Sequence, residues 1–475
     1  YIEFGFTRDH SGGLEAPGAA QRNAISLTDG GFNCDNPFFS AQEADFLCTS
    51  RGLSTASNYD PVTGAYLGPA SIATCVFLNK RTPENNFRDE QVTLTSFRMV
   101  GGLRGKLFGP FEYDFSASYA NVHQSRVLLG MPSQQRISTA LFAVVDRRVD
   151  ALGAPLAATF GQPVCAINAD SLSQNDDPAC QPLDYFSDAG PSAAAAKYVN
   201  AIMTATGDAG QLDLVFAVNG DLGEYGIKSP LANNAMAIAF GGEYRKNTLS
   251  SNPDKEYIDG KEDFPISGKA IVKEFFGEVT LPLVEDAPLF KLLSVEGAYR
   301  YSKYKGGIST DTYKLGVNWS PVRDLRFRAS YQRAVRAPNL IELYAPQIRP
   351  QNSIQLPINA NGTYDPCSGP TPFATFEQCA RTGVTAAQYG NIADYNFFGA
   401  LNGGNPDLQP ETGKTKSLGA VFEPSFIPGF TASLDYFDIK VTNLIGRVAP
   451  VLALAQCLNT GDPYFCSLIH RGQGG

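Results

Sequence analysis

Histidine is nearly missing from this chain: three residues in 475, at His10, His123 and His470. They are far apart, and no His-Glu-x-x-His pair, Gly-x-Ser-x-Gly turn or Gly-x-x-x-x-Gly-Lys loop accompanies them. Zinc-protease, serine-hydrolase and P-loop chemistry therefore have no anchor. Carboxylates such as Glu274 and Glu278 share a strand face, as they would on any wet wall, so a glycosidase reading has little support. Cysteine is present nine times but never as Cys-x-x-Cys, which argues against a zinc site. Charged residues make up only 18%, below the ~25% of soluble domains. A net charge of −9 excludes the basic face that nucleic acid requires. No apolar run approaches the ~18 residues of a membrane helix. This last absence says nothing about membrane strands, whose signal is much weaker.

What the chain does have is aromatic residues and period-two alternation. Phe (31) and Tyr (21) outnumber Trp (1) and Met (4), a mixture that favours strands. In 111–119 one face reads Phe111, Tyr113, Phe115 and the other Glu112, Asp114, Ser116. The pattern recurs at Tyr313, Val317, Trp319 against Lys314, and at Leu325, Phe327 against Arg326, Arg328. Strands are expected at the start of the chain and near 91–104, 111–124, 211–223, 233–247, 270–283, 290–304, 311–320, 324–335, 413–423 and 428–441. They run to about ten residues or more, matching the ~9–11 of a tilted bilayer-crossing strand.

The connections alternate between short and long. Tight turns are expected at Gly105–Pro110, Val284–Leu289, Pro321–Arg323 and Pro424–Ile427. Long segments occupy about 9–90, 125–210, 336–412 and the C-terminal stretch. Short turns on one side and long loops on the other characterise outer-membrane barrels. The fold class is all-β: part of a transmembrane antiparallel β-barrel with long extracellular loops. Phe111, Tyr113, Phe115, Tyr313, Val317, Trp319, Leu325 and Phe327 should face lipid, and Glu112, Asp114, Lys314, Arg326 and Arg328 the lumen. All nine cysteines fall in the long segments. Cys165 with Cys180, Cys367 with Cys379 and Cys457 with Cys466 have the spacing of local disulfides in an oxidising compartment. Cys34 with Cys48 is the nearest remaining pair; Cys48 with Cys75 is an alternative.

Two clusters flank the 336–412 segment. The first ends Arg336-Ala337-Pro338-Asn339-Leu340-Ile341-Glu342-Leu343; the second is Asn405-Pro406-Asp407-Leu408-Gln409-Pro410-Glu411. Structurally, Pro338 ends a strand by removing a ladder donor, and Pro406 and Pro410 keep the returning chain extended. In this order the two clusters resemble the barrel of a TonB-dependent outer-membrane receptor of the large-looped proteobacterial type. The resemblance carries Arg336, Pro338, Asn339, Glu342, Asn405, Pro406, Leu408, Pro410 and Glu411 as family-motif positions. It implies a roughly 22-stranded barrel closed by a plug, of which about 11 strands would lie in 1–475. An N-terminal plug and C-terminal closing strands are expected outside this chain. It also implies outer-membrane lipid as surroundings, energy from the TonB complex through the plug, a monomer, a small nutrient ligand (sugar or metal chelate), no cofactor and no enzymatic activity.

For the ligand, loop composition is the only guide. Asp and Glu outnumber Lys and Arg ten to five in 9–90, eight to five in 125–210 and six to three in 336–412. The third loop is rich in amide and aromatic residues, among them Asn352, Asn359, Asn361, Tyr364, Phe373, Tyr389 and Tyr395. Such groups suit a neutral sugar by hydrogen bonding and ring stacking. A carbohydrate or other neutral compound is the expectation. The alternatives are a ferric siderophore, a passive porin, and a soluble secreted glycan-binding β-protein.

Overall fold

The computed structural model describes all residues except 24–30, 75–76, 83–86, 262, 350–353, 356–364, 393–396 and 473–475. Its centre is one antiparallel sheet of 11 strands, each bonded to its neighbours in the sequence order of the wall. The strands are β1 (Ile2–Glu15), β2 (Arg88–Phe108), β3 (Phe111–Pro132), β4 (Asn200–Asp221), β5 (Ala237–Pro253) and β6 (Ile266–Ala287). They continue as β7 (Phe290–Tyr304), β8 (Ser309–Val322), β9 (Leu325–Arg336), β10 (Glu411–Phe422) and β11 (Ala432–Thr442). The sheet is open, with β1 and β11 at its two edges. Among the described residues no helix is long and apolar enough to cross a membrane.

The register assigns every side chain to a face, because directly opposed residues in a ladder share one. Phe115 opposes Leu103 and Phe216, Gly277 opposes Tyr299, Val317 opposes Val295 and Ala329, and Trp319 opposes Phe327. This face is an apolar band across all strands. The opposite face carries Arg104, Asp114, Glu243, Glu274, Arg300, Lys314, Arg328 and Asp435, joined as neighbouring ion pairs. The polar face is the concave one. After β9 the chain cuts across it, and the Tyr344 ring lies over Gly268 of β6, where a Cβ would come within 2.4 Å.

The faces expected from alternation hold, with one correction. Phe111 is only 7% exposed, because Val218 and Leu222 pack on it with Tyr113, Met236 and Ile238. The 222–236 connection folds back over this end of the wall, so Phe111 does not meet lipid. The strands also run further than the alternation suggested. β2, β3, β4 and β6 have 21, 22, 22 and 22 residues. Residues 105–108 and 284–287 belong to the ladder, and the turns shrink to Gly109-Pro110 and Pro288-Leu289. Gly109 sits at φ +53°, a conformation that costs glycine little.

The described parts of the long segments are structured. The first two pack together: Asn33 and Asn36 donate to the carbonyls of Ala143 and Leu141, and the Tyr59 hydroxyl donates to the Val145 carbonyl. Phe32, Ile137, Leu141, Leu183, Tyr185 and Val199 form their shared core. The third and last segments form a second lobe around Cys367, Cys379, Val384, Ile392 and Leu458, with an Arg471–Asp365 ion pair at 2.8 Å. Disulfides join Cys34–Cys48, Cys165–Cys180, Cys367–Cys379 and Cys457–Cys466. Cys165 lies at the end of a three-residue strand inside its loop, not in irregular chain. Cys75 lies outside the described residues.

Candidate functional site: a clipped loop over a lumenal cavity

The two sequence clusters meet at the top of β9 and β10. Arg336 ends β9 and faces Glu411, the first residue of β10. Its guanidinium reaches Glu411 through Nε at 2.7 Å and Nη2 at 2.9 Å, and Glu342 at 3.1 Å. Glu411 Oε1 also accepts the Ile445 N–H at 2.8 Å, which ties in the chain leaving β11. One arginine thus clips the exit of the third long loop, its return, and the start of the last loop. Such bidentate geometry is what guanidinium offers and ammonium does not.

Local chemistry explains the helix that follows. Pro338 interrupts the ladder. Asn339 then caps Leu340–Tyr344: its side chain accepts the Glu342 N–H at 2.8 Å, and the Glu342 carboxylate accepts the Asn339 N–H at 2.7 Å. Hydrogen bonds from Arg336 hold the Glu342 carboxyl below its ordinary pKa; partial burial opposes them and the Asn339 N–H reinforces them. The second cluster docks on this helix. The Asn405 N–H donates to the Glu342 carbonyl at 2.8 Å and the Gly404 N–H to the Ala345 carbonyl at 2.8 Å. A Cβ at Gly404 would lie 2.7 Å from the Leu343 carbonyl carbon, so the approach needs glycine. Leu408 is half-buried, while Pro406 is exposed and Pro410 half-buried on the way into β10.

Beneath the helix lies a cavity of about 810 Å³. Gln211, Arg245, Asn247, Val272 and Tyr304 line it from the wall, and Pro338, Asn339, Leu340 and Tyr344 from the clip. The cations that line it from the concave face are Arg245 and Arg336, and no lining residue is a carboxylate; Lys269 and Lys305 border it only through backbone, since their strand positions share the convex face with Lys273 and Lys303. Arg245 is held by Glu243 at 2.5 Å, and Arg336 by the clip. Lys269 and Lys305 have no ion pair among the described residues. Lower on the wall, Arg300 joins Glu274 at 3.2 Å and Glu243 at 3.4 Å and lies 5.0 Å from the Phe276 ring centre.

The sequence reading named Arg336, Asn339, Glu342, Asn405 and Glu411, and the structure brings these together. It missed Tyr344, Arg245, Glu243 and Asp435. Strand parity already set Glu243 beside Glu274. A glycine was the signal for Asp435: at Gly419 a Cβ would lie 2.1 Å from Asp435 Oδ1 and 2.7 Å from Arg328 Nε. Only glycine on β10 lets Arg328 of β9 reach Asp435 of β11. Among the described residues no cluster of metal-ligating side chains occurs. Asn352, Asn359, Asn361, Tyr364 and Tyr395, part of the case for a sugar, lie outside the described residues.

A membrane-type antiparallel wall with an apolar outer band, a charged concave face and structured loops on one end defines an outer-membrane barrel. The sequence model of the TonB-dependent receptor-like β-barrel matches residues 166–462. The chain belongs to that family of Gram-negative outer-membrane receptors. No curated protein matches the sequence. Among solved structures it is similar to the siderophore receptor PirA of Pseudomonas aeruginosa, at 13% identity and a TM-score of 0.31, over 74% of this chain and 48% of that one. PirA of Acinetobacter baumannii gives 15% and 0.36, over 74% and 34%. A mutant of the ferric enterobactin receptor PfeA of Pseudomonas aeruginosa gives 12% and 0.34, over 81% and 38%. The chain spans less than half the length of these receptors.

Proposed function

We propose that residues 1–475 form part of one barrel domain of a monomeric receptor that captures a small ligand at its outer mouth and imports it with TonB-supplied energy. A plug carrying the TonB contact and further closing strands would complete the whole protein. No chemical transformation is part of this reading. The observation that carries it is the roofed cavity: the wall supplies one side, the clipped helix the other, and the long loops stand above. Its lining favours an anionic ligand of the ferric-chelate class, because the guanidinium groups of Arg245 and Arg336 border it from the concave face and no carboxylate lines the space. A neutral carbohydrate is the second reading, supported by Gln211, Asn247 and Tyr304 in the same lining.

The test uses the full-length receptor in a host lacking its own copy. Uptake of a radiolabelled ferric catecholate chelate should depend on TonB, and binding should weaken in Arg245→Gln. Binding of a maltooligosaccharide with no chelate binding would establish the second reading. Uptake that survives loss of TonB would make the protein a passive pore.

A further inference from the structure

On the concave face Arg104, Arg245, Arg300, Lys314 and Arg328 each meet a carboxylate, but one cationic row of the convex face does not. Lys273 of β6 directly opposes Lys303 of β7. Further round, Arg333 of β9 opposes Lys414 of β10, which opposes Lys440 of β11. Like charges directly opposite in a ladder repel and destabilise it. None of these five has an ion pair among the described residues; Arg333 donates only to the Asp311 carbonyl. The carboxylates on this face are spoken for or distant. Asp311 accepts the Tyr299 hydroxyl, and Asp438 opposes Lys416 without forming an ion pair.

The height of these cations is as informative as their sign. Two residues nearer the membrane from Lys273 and Lys303, on the same face, lie Phe275 and Tyr301, again directly opposed. Two residues nearer from Arg333, Lys414 and Lys440 come Tyr331, Lys416 and Asp438, and then Ala329, Leu418 and Tyr436. Aromatic rings of this kind mark the membrane interface. The cations therefore stand on the lipid-facing surface at headgroup level, on the side of the long loops. Long side chains at that level extend their charge to the interface.

We infer that this row binds the phosphate groups of an anionic lipid of the outer leaflet, with Arg333, Lys414 and Lys440 as one site and Lys273 and Lys303 as a second. Bound phosphate removes the repulsion that the unliganded ladder carries, and an aromatic ring below each site packs the lipid's apolar part. The inference rests on the outer-membrane placement but is independent of the cargo.

The test is native mass spectrometry of the full-length receptor from neutral detergent, with phosphatidic acid, phosphatidylcholine or inorganic phosphate added at equal concentration. The wild type should retain phosphatidic acid and not phosphatidylcholine. In a Lys273→Gln/Lys303→Gln background, which leaves only the first site, Arg333→Gln/Lys414→Gln/Lys440→Gln should bind it about a hundredfold more weakly, from roughly one lost charge contact per residue. Folding is checked by heat-modifiable gel mobility, and ligand uptake should be unchanged, because these residues lie outside the cavity. Equal retention by wild type and variant would overturn the inference. So would equal binding of the two lipids, or occupancy of the site by inorganic phosphate alone.

Discussion

Removing the Cys165–Cys180 bridge tests whether the loops fold as a unit distinct from the wall. Both sulfurs sit in the apolar core that the first two loops share; Cys165 is fully buried and Cys180 is 5% exposed. The bridge spans 15 residues of sequence. Closing a loop of that size removes about 3 kcal/mol of chain entropy from the unfolded lobe at 25 °C. At about 1.36 kcal/mol per tenfold, this is a change of about 150-fold in the opening equilibrium. In Cys165→Ala/Cys180→Ala, amide exchange should therefore speed up by about two orders of magnitude in the Gln134–Leu141 and Ala193–Val199 helices, whose residues pack on the bridge. Amides of β3 between Tyr113 and Tyr119, and of the β4 residues Leu212 to Val218 that pair with them, should not change, since the sheet ladder holds them. The measurement is hydrogen exchange of the full-length receptor in detergent. Unchanged exchange in the two helices, or equal acceleration in the wall, would show that lobe and wall are not separate cooperative units.

Phe327→Arg puts a charge in the apolar band beside Trp319, whose ring is 5.4 Å away; it should cost about 2–4 kcal/mol in urea unfolding, and a loss under 1 would place that position away from the midplane. Glu342 has a lowered folded pKa, so its contribution to docking the Leu340–Tyr344 helix is complete above the ordinary carboxylate value and is lost as pH falls through the lowered one. Exchange protection at Leu343 and Ala345 should hold from pH 7 to about 5 and drop below about 4; an identical drop in Glu342→Gln would assign it elsewhere. Gly268→Leu drives a side chain into the Tyr344 ring and should displace the helix, seen as lost protection at Leu343 with the wall intact; retained protection would mean that the ring has another seat.

The wall was legible because alternation is a direct record of a two-sided surface. Phe115, Val317 and Phe327 announce their face wherever lipid demands apolar side chains. The strand ends were not legible for the same reason. Asn200–Gly210 opens β4 with only a weak alternation of small residues, because past the bilayer its apolar positions Ala201 and Met203 are covered by Leu128 and by Tyr257 of the next connection rather than by lipid. The loop helices could have been found. Ser40 with Glu43, Asn339 with Glu342 and Thr375 with Gln378 are capping boxes, and each begins a helix. The bond from Asn33 to the Ala143 carbonyl had no local signal, since two segments 110 residues apart meet only through the wall beneath them.

Wall height explains why the clip lies where it does. β2, β3, β4 and β6 have 21 or 22 residues, whereas β9, β10 and β11 have 12, 12 and 11. About ten residues cross the bilayer. The tall strands then extend roughly ten residues further, about 30 Å of ladder at ~3.3 Å each. The short ones stop near the membrane surface. A loop leaving a tall strand pair has a sheet to brace it; one leaving β9 has none. Its base must be held by side chains, and Arg336 does this with two carboxylates, one on the returning strand and one on its own helix. The low side also leaves the helix free to reach inward until Tyr344 meets Gly268 on the tall side. The cavity is the space enclosed between a high back wall and a low clipped front, so the geometry that anchors the longest loop is also what forms the cavity's roof.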